Sequence, residues 1–144
     1  MRIIILNGPN LNRLGVRNPE VYGHKSMAQI LLEIQRRHPD VHFTYRQSNH
    51  EGDLIDWLQE SGDAGVAGII MNAGGYAHTS VVLRDAVADC PCPVVEVHIS
   101  DIRQREVFRR ESLLTEVSAH SIIGKGTDGY EMAVEWLCSQ KRKD

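Results

Sequence analysis

The chain has 144 residues, 42% of them hydrophobic and 24% charged, which is ordinary for a soluble globular protein and enough for one domain (residues 1–144) that buries about 70% of its unfolded surface. A formal net charge of -3 gives no electrostatic case for nucleic acid or an anionic membrane surface, and no run approaches the ~20 apolar residues of a membrane span. The three cysteines, Cys90, Cys92 and Cys138, complete neither a paired disulfide framework nor a zinc site; reduced thiols in a cytoplasmic protein are expected.

In chain order, Ile3-Ile4-Ile5-Leu6 is too short for a signal-peptide core and runs into Asn-Gly-Pro-Asn, so residues 2–7 are expected to be a buried parallel strand. The segment from Asn7 to Gly23 carries two prolines and three glycines and is long for a compact domain, with the part from about residue 11 to 24 as its loop. That marks a shaped loop, a candidate active-site lid. Ser26 is placed to cap a helix with Ile30, Leu31 and Ile34 as apolar positions, ending before Pro39. Val41 to Gln47 alternates as a strand, with Val41, Phe43 and Tyr45 on one face. Ser48-Asn49-His50-Glu51 has capping-box spacing and predicts a helix through Leu54, Ile55, Trp57 and Leu58. A helix start accounts for His50 and Glu51 more simply than a catalytic role.

Val66 to Met71 predicts a third strand, followed by Asn72-Ala73-Gly74-Gly75-Tyr76-Ala77-His78-Thr79-Ser80 and a helix from about Ser80 to Ala88 with Val81, Val82, Leu83 and Val87 apolar. A strand, a glycine pair and a helix N-terminus in succession suit an anion. Pro93 then opens Val94-Val95-Glu96-Val97-His98-Ile99-Ser100, whose alternation puts Glu96, His98 and Ser100 on one face. A buried carboxylate needs a partner. His98 can be that partner, either as a satisfied polar pair or as an oriented acid or base. A short helix from Ile102 to about Arg110 carries Arg103, Arg105, Arg109 and Arg110; a fifth strand over 118–124 and a closing helix from Asp128 to about Gln140 follow, with Met132, Val134, Trp136 and Leu137 apolar. The tail Lys141 to Asp144 is expected to fray.

Alternating strands and helices predict an α/β fold, flavodoxin-like, with a five-stranded parallel sheet of order 2-1-3-4-5. Ligands of such sheets bind beyond the strand C-termini where the order reverses. Asn7 to Asn10, Asn72 to His78, and His98 with Ser100 all fall at that edge. Arg109 and the glycine turn would suit a carboxylate or phosphate. Tyrosine is almost wholly un-ionised at neutral pH, so Tyr22 becomes a base only beside a cation, and Arg17 lies in the same loop. On spacing alone, Arg17 and Tyr22 read more readily as plain loop residues.

The segments Asn7 to Asn12, Gly15 to Gly23, Gln47 to Gly52, Asn72 to Ser80 and Glu96 to Ser100 together resemble type II 3-dehydroquinate dehydratases, in the family's order and spacing over nearly the whole chain. The resemblance implies elimination of water from 3-dehydroquinate to give 3-dehydroshikimate, in the shikimate pathway or in quinate catabolism, with no metal or organic cofactor. It implies Tyr22 as the base, Arg17 as its cation, Asn10 stabilising an enolate through water, His98 as the acid and Glu96 orienting it. The substrate would lie against Asn72, His78, Ile99, Ser100 and Arg109. It implies a homododecamer, a tetramer of trimers, in which Asp85 reaches a neighbour's site. Lys25, Lys125, Lys141 and Lys143 are absent from the predicted strand ends, which speaks against a Schiff base.

The chain departs from the family pattern at Asn18, Asp101, Arg103, Glu111 and Leu113, placing lid closure, site support and trimer contacts in question. Three other readings compete. A flavin- or nucleotide-binding module would leave Glu96, His98, Arg17 and Tyr22 without roles. A phospho-receiver would need an aspartate where Asn72 stands. An assembly protein without activity would have to lose an acid or base, and none is missing.

Overall fold

The computed structural model describes residues 1–143; Asp144, the last residue of the predicted tail, lies outside the described residues. Five strands, β1 (Arg2–Asn7), β2 (His42–Gln47), β3 (Gly68–Asn72), β4 (Val94–His98) and β5 (His120–Ile123), form one parallel sheet of order β2-β1-β3-β4-β5. The helices are α1 (Pro19–Tyr22), α2 (Met27–Arg37), α3 (Glu51–Asp63), α4 (Val81–Asp89) and α5 (Asp128–Lys141). Fold and strand order agree with the sequence reading.

The near-continuous apolar strands feed two cores because successive side chains point to opposite faces. Ile3, Ile5, Ile70, Val95 and Val97 pack with Ile30 and Ile34 of α2 and with Tyr130, Val134 and Leu137 of α5. Ile4, Leu6, Ile69, Met71 and Val94 pack with Leu54 and Leu58 of α3 and Leu83 and Val87 of α4. Each such side chain, withdrawn from water, contributes ~1.5–3 kcal/mol. That burial fixes the strand ends that carry the polar residues.

The register aligns those ends. Asn7 pairs with both Gln47 and Asn72, and Met71 with Glu96. Just past β1, Gly8 donates its N–H to the Asn72 carbonyl at 2.8 Å. A Cβ at Gly8 would lie 2.5 Å from the Ala73 carbonyl oxygen, so only glycine lets the two loops meet this closely. Tyr130, fully buried on α5, ties them from below: its hydroxyl donates to Asn7 Oδ1 at 2.8 Å and accepts from Asn72 Nδ2 at 3.1 Å.

Several local expectations are corrected. Ser26 caps α2 in a full capping box with Gln29, but the predicted box at Ser48–Glu51 does not form. The N-cap of α3 is His50, without a side-chain bond; Ser48 Oγ instead accepts from the His50 N–H at 2.9 Å and donates to Asp53 at 2.6 Å. The glycine pair opens a 3-10 turn, Gly74–His78, and α4 follows where the sequence reading starts its helix, the first turn closed by Ser80 Oγ accepting from the Leu83 N–H. Val81 and Val82 are exposed on α4, as is Met132 on α5.

Residues 102–110 form two 3-10 turns, Ile102–Gln104 and Val107–Arg109, broken at Glu106 in an extended conformation. A continuous helix would set Arg105 and Arg109 four residues apart as like-charged neighbours, with no apolar stripe to offset the repulsion. The break sends them to different acceptors. The fifth strand is shorter than expected, and α5 ends one residue later.

Candidate active site

A pocket of about 160 Å³ opens beyond the C-termini of β1, β3 and β4. Asn10, Arg17, Tyr22, Asn72, His78, His98, Ile99, Ser100 and Arg109 all line it, as the sequence reading expects. Glu96 stands behind its wall, 1% exposed. Asp85 is exposed on α4 and does not line this pocket. Nor do His50 and Glu51, which open α3.

Alternation along β4 places Glu96 and His98 on one face, and His98 Nε2 lies 2.8 Å from Glu96 Oε2. Desolvation alone would push this carboxyl up, since burial penalises the charge. Four donors overcome it: His98 and Ser112 on Oε2, Thr115 (2.7 Å) and Ser121 (2.9 Å) on Oε1. The carboxyl is drawn down to about 2 and stays ionised at neutral pH. An ionised Glu96 requires Nε2 to carry the proton it donates, which leaves Nδ1 as the exchangeable nitrogen of the ring.

Tyr22 enters from α1, a single helical turn within the predicted lid. Asn18 precedes it at φ 39°, and its carbonyl accepts from the Val21 and Tyr22 N–H groups at 2.9 and 3.0 Å. Asparagine tolerates the left-handed region where most residues do not, so this departure from the family pattern suits the turn that presents Tyr22. The cation expected beside the phenol is only half of what is found. Arg17 stacks with its guanidinium carbon 4.9 Å from the ring centroid, while Arg105 Nη1 donates to the Tyr22 hydroxyl at 2.8 Å and lies 3.4 Å from Ser100 Oγ.

Sequence reasoning names Arg105 on a helix but assigns it no role. Its contact with Tyr22 spans 83 positions, and no local pattern encodes that. The hydroxyls of Ser112, Thr115 and Ser121, and the Tyr130 peg, are also unassigned in the sequence reading. A buried strand carboxylate is the signal that such donors must exist.

The remaining wall is polar. Asn72 Oδ1 accepts from the Gly74 N–H at 3.2 Å, so with Tyr130 on Nδ2 its amide orientation is set. His78 packs 6.0 Å from His98, centroid to centroid, and its Nδ1 lies 2.7 Å from the Glu111 carbonyl. Burial pushes the His78 pKa down, and the bond to Glu111 opposes this only in part. Arg109 is held by Glu106 at 2.6 Å and stacks on Phe108. Two departures act here through backbone atoms: Glu111 by that carbonyl, and Leu113 by an N–H to the Ala77 carbonyl. Asp101 and Arg103 pair with each other at 2.9 Å.

Three guanidiniums and no lysine line the pocket, which favours a small anion. Its volume is below the roughly 300–1,000 Å³ of drug-sized ligand sites, an argument against a flavin. Among the described residues, no three His, Cys, Asp or Glu side chains are grouped to hold a metal ion. No described helix is long and apolar enough to cross a membrane.

Fold and pocket together define a flavodoxin-like α/β protein with an arginine-lined site at the switch-point edge of its sheet. The family model for dehydroquinase class II matches residues 1–138. A 3-dehydroquinate dehydratase from an Exiguobacterium species is 50% identical over 143 residues, covering 99% of this chain and 97% of that protein. The crystal structure of type II dehydroquinase from Butyrivibrio crossotus superposes with a TM-score of 0.91 at 39% identity, covering 95% of this chain and 97% of that one. That from Propionibacterium acnes gives 0.91 at 32% identity, with 96% of each chain covered. The chain belongs to the dehydroquinase class II family.

Proposed function

We propose that this chain dehydrates 3-dehydroquinate to 3-dehydroshikimate by anti elimination through an enolate. The observation that carries the reading is the meeting of His98, held by Glu96, and Tyr22, held by Arg105 and Arg17, in one small pocket. Tyr22 as phenolate removes the C2 proton, and the electron pair enters the ring as an enolate. The enolate then expels the hydroxyl, which leaves as water on taking a proton from His98. Asn10 stabilises the enolate through a water. Asn72, His78, Ser100, the Ile99 backbone and Arg109 receive the carboxylate and hydroxyls; for Arg109 this means exchanging Glu106 for substrate. Proton donor and acceptor on opposite sides of a ring, in a site that excludes water, meet the chemical need. Residues 11–24 act as the lid.

The working particle in this reading is a cytoplasmic dodecamer, a tetramer of trimers. Val81 and Val82 exposed beside Asp85 on α4, with Val107 and Phe108 exposed nearby in sequence to Arg109, support such contacts. The product serves the shikimate pathway; the same step also serves quinate breakdown. The test is an absorbance assay for the conjugated product from purified protein and 3-dehydroquinate, with chelator and borohydride present. Robust turnover is expected. No turnover from folded, oligomeric protein would reduce the chain to a non-catalytic relative.

A further inference from the structure

Away from the pocket, Cys90-Pro91-Cys92 forms the turn between α4 and β4. We propose that Cys90 and Cys92 are a redox pair that closes to an intramolecular disulfide by exchange with a low-molecular-weight disulfide. Their sulfurs already lie 3.5 Å apart, both as free thiols. A disulfide bond is about 2.0 Å long, so closure needs a movement that side-chain rotation and a small backbone adjustment can supply.

The two thiols differ in the way such a pair requires. Cys90 lines a surface cavity of about 310 Å³ between α3 and α4, with Leu58, Asp63, Ala86 and Asp89 around it. Cys92 faces inward, 9% exposed, among the side chains of the α3–α4 core. An incoming disulfide therefore meets Cys90 first, and Cys92 is positioned behind it to resolve. The hydrogen bond the two sulfurs share draws the Cys90 pKa down, against burial and the Asp63 charge, while the same bond and burial push Cys92 up. An outer sulfur open to the cavity and an inner one buried behind it match attack and then resolution.

The neighbouring helix is shaped to admit the turn. A Cβ at Gly62 of α3 would lie 2.7 Å from Pro91 Cδ and 3.4 Å from Cys90 Sγ. Pro91 fixes one backbone dihedral between the cysteines and so limits the conformations the pair can explore.

Atoms and electrons balance in the exchange. Cys90 thiolate attacks one sulfur of the external disulfide, its S–S bond breaks, and one thiolate departs. Cys92 then gives up its proton and attacks the Cys90 sulfur of the mixed disulfide, releasing the second thiolate. The protein loses two protons and two electrons, and the external disulfide takes them up to become two thiols. A ring spanning three residues is strained, so it is readily reopened by thiols.

The test equilibrates the full chain, wild type and Cys138→Ser, in glutathione buffers of rising oxidised fraction, followed by alkylation and peptide mass mapping. Loss of two hydrogens is expected, with Cys90 and Cys92 joined in one peptide and neither alkylated. Adding Cys92→Ser should halt the reaction at a single glutathione adduct on Cys90. The proposal is overturned if both thiols stay alkylatable throughout, or if an adduct persists on Cys90 while Cys92 is present. Wild type alone can give either result, so a poorly folding variant does not obscure the outcome.

Discussion

The two sides of the pocket are held in place by opposite means. His98 sits at the end of a central strand, 5% exposed, and its partner Glu96 is fixed by neutral hydroxyls reaching in from Ser112, Thr115 and Ser121. Tyr22 sits on a four-residue helical turn with no buried residue in it, steadied by two arginines from separate segments. One side is anchored by the core, the other by ion–dipole and cation–π contacts that substrate or solvent can exchange. In the proposed reaction the proton donor is preorganised and the base is delivered. The contrast teaches that a rigid scaffold and a closing segment can divide an acid–base task, each supplying what the other lacks.

Breaking the delivered side should cost most. Tyr22→Phe is expected to lower kcat by about 10³–10⁴-fold or more, with substrate still bound in a calorimetric titration; near-normal turnover would remove Tyr22 as the base. On the anchored side, His98→Ala should lower dehydration by about 10²–10⁴-fold while C2 hydrogen exchange, followed by NMR in heavy water, continues. Loss of both together would mean that His98 also serves the first step.

The two arginines sharpen the comparison further. Arg105→Ala, which removes a direct hydrogen bond, should lower kcat/KM by ~10–100-fold, in keeping with a charged hydrogen bond of ~1.5–3 kcal/mol. Arg17→Ala should lower kcat/KM less, since its contact is with the ring face. A reversed order would make Arg17 the principal cation.

The last effect concerns stability and not rate. The Glu96 carboxyl is depressed from 4.5 to about 2, so its contribution is fully present above pH 4.5 and is lost as pH falls toward 2. The linked energy is roughly 3 kcal/mol. Glu96→Gln should flatten the pH dependence of denaturant unfolding within that window, and an unchanged slope would mean the carboxylate is less well solvated by its donors than the geometry implies.

What the sequence discloses follows the range of the interactions. Strands and their order are legible because apolar runs such as Ile3 to Leu6 are local and the topology rules are strong. The Glu96–His98 pairing is legible because strand alternation alone sets it. Arg105 on Tyr22, the hydroxyls on Glu96 and Tyr130 between Asn7 and Asn72 are tertiary contacts, and their sequence neighbours carry no trace of them. Helix starts are misjudged where a local competitor wins: Ser48 matches a capping box in spacing, yet its hydroxyl engages Asp53 and the His50 N–H. The helix expected from about Ser80 does begin there, after the glycines at 74 and 75 have opened a 3-10 turn that the local pattern does not announce.

Tyr130 also has a consequence for synthesis. The two loop ends it joins leave the ribosome early, at Asn7 and Asn72, while the hydroxyl that locks them arrives on the last helix. A nascent chain stopped just short of residue 130 would hold every group proposed for proton transfer, yet have two asparagine amides each lacking one hydrogen-bond partner. Full shaping of the pocket therefore waits for α5, and products of translation that stop before it should be poor at capturing substrate.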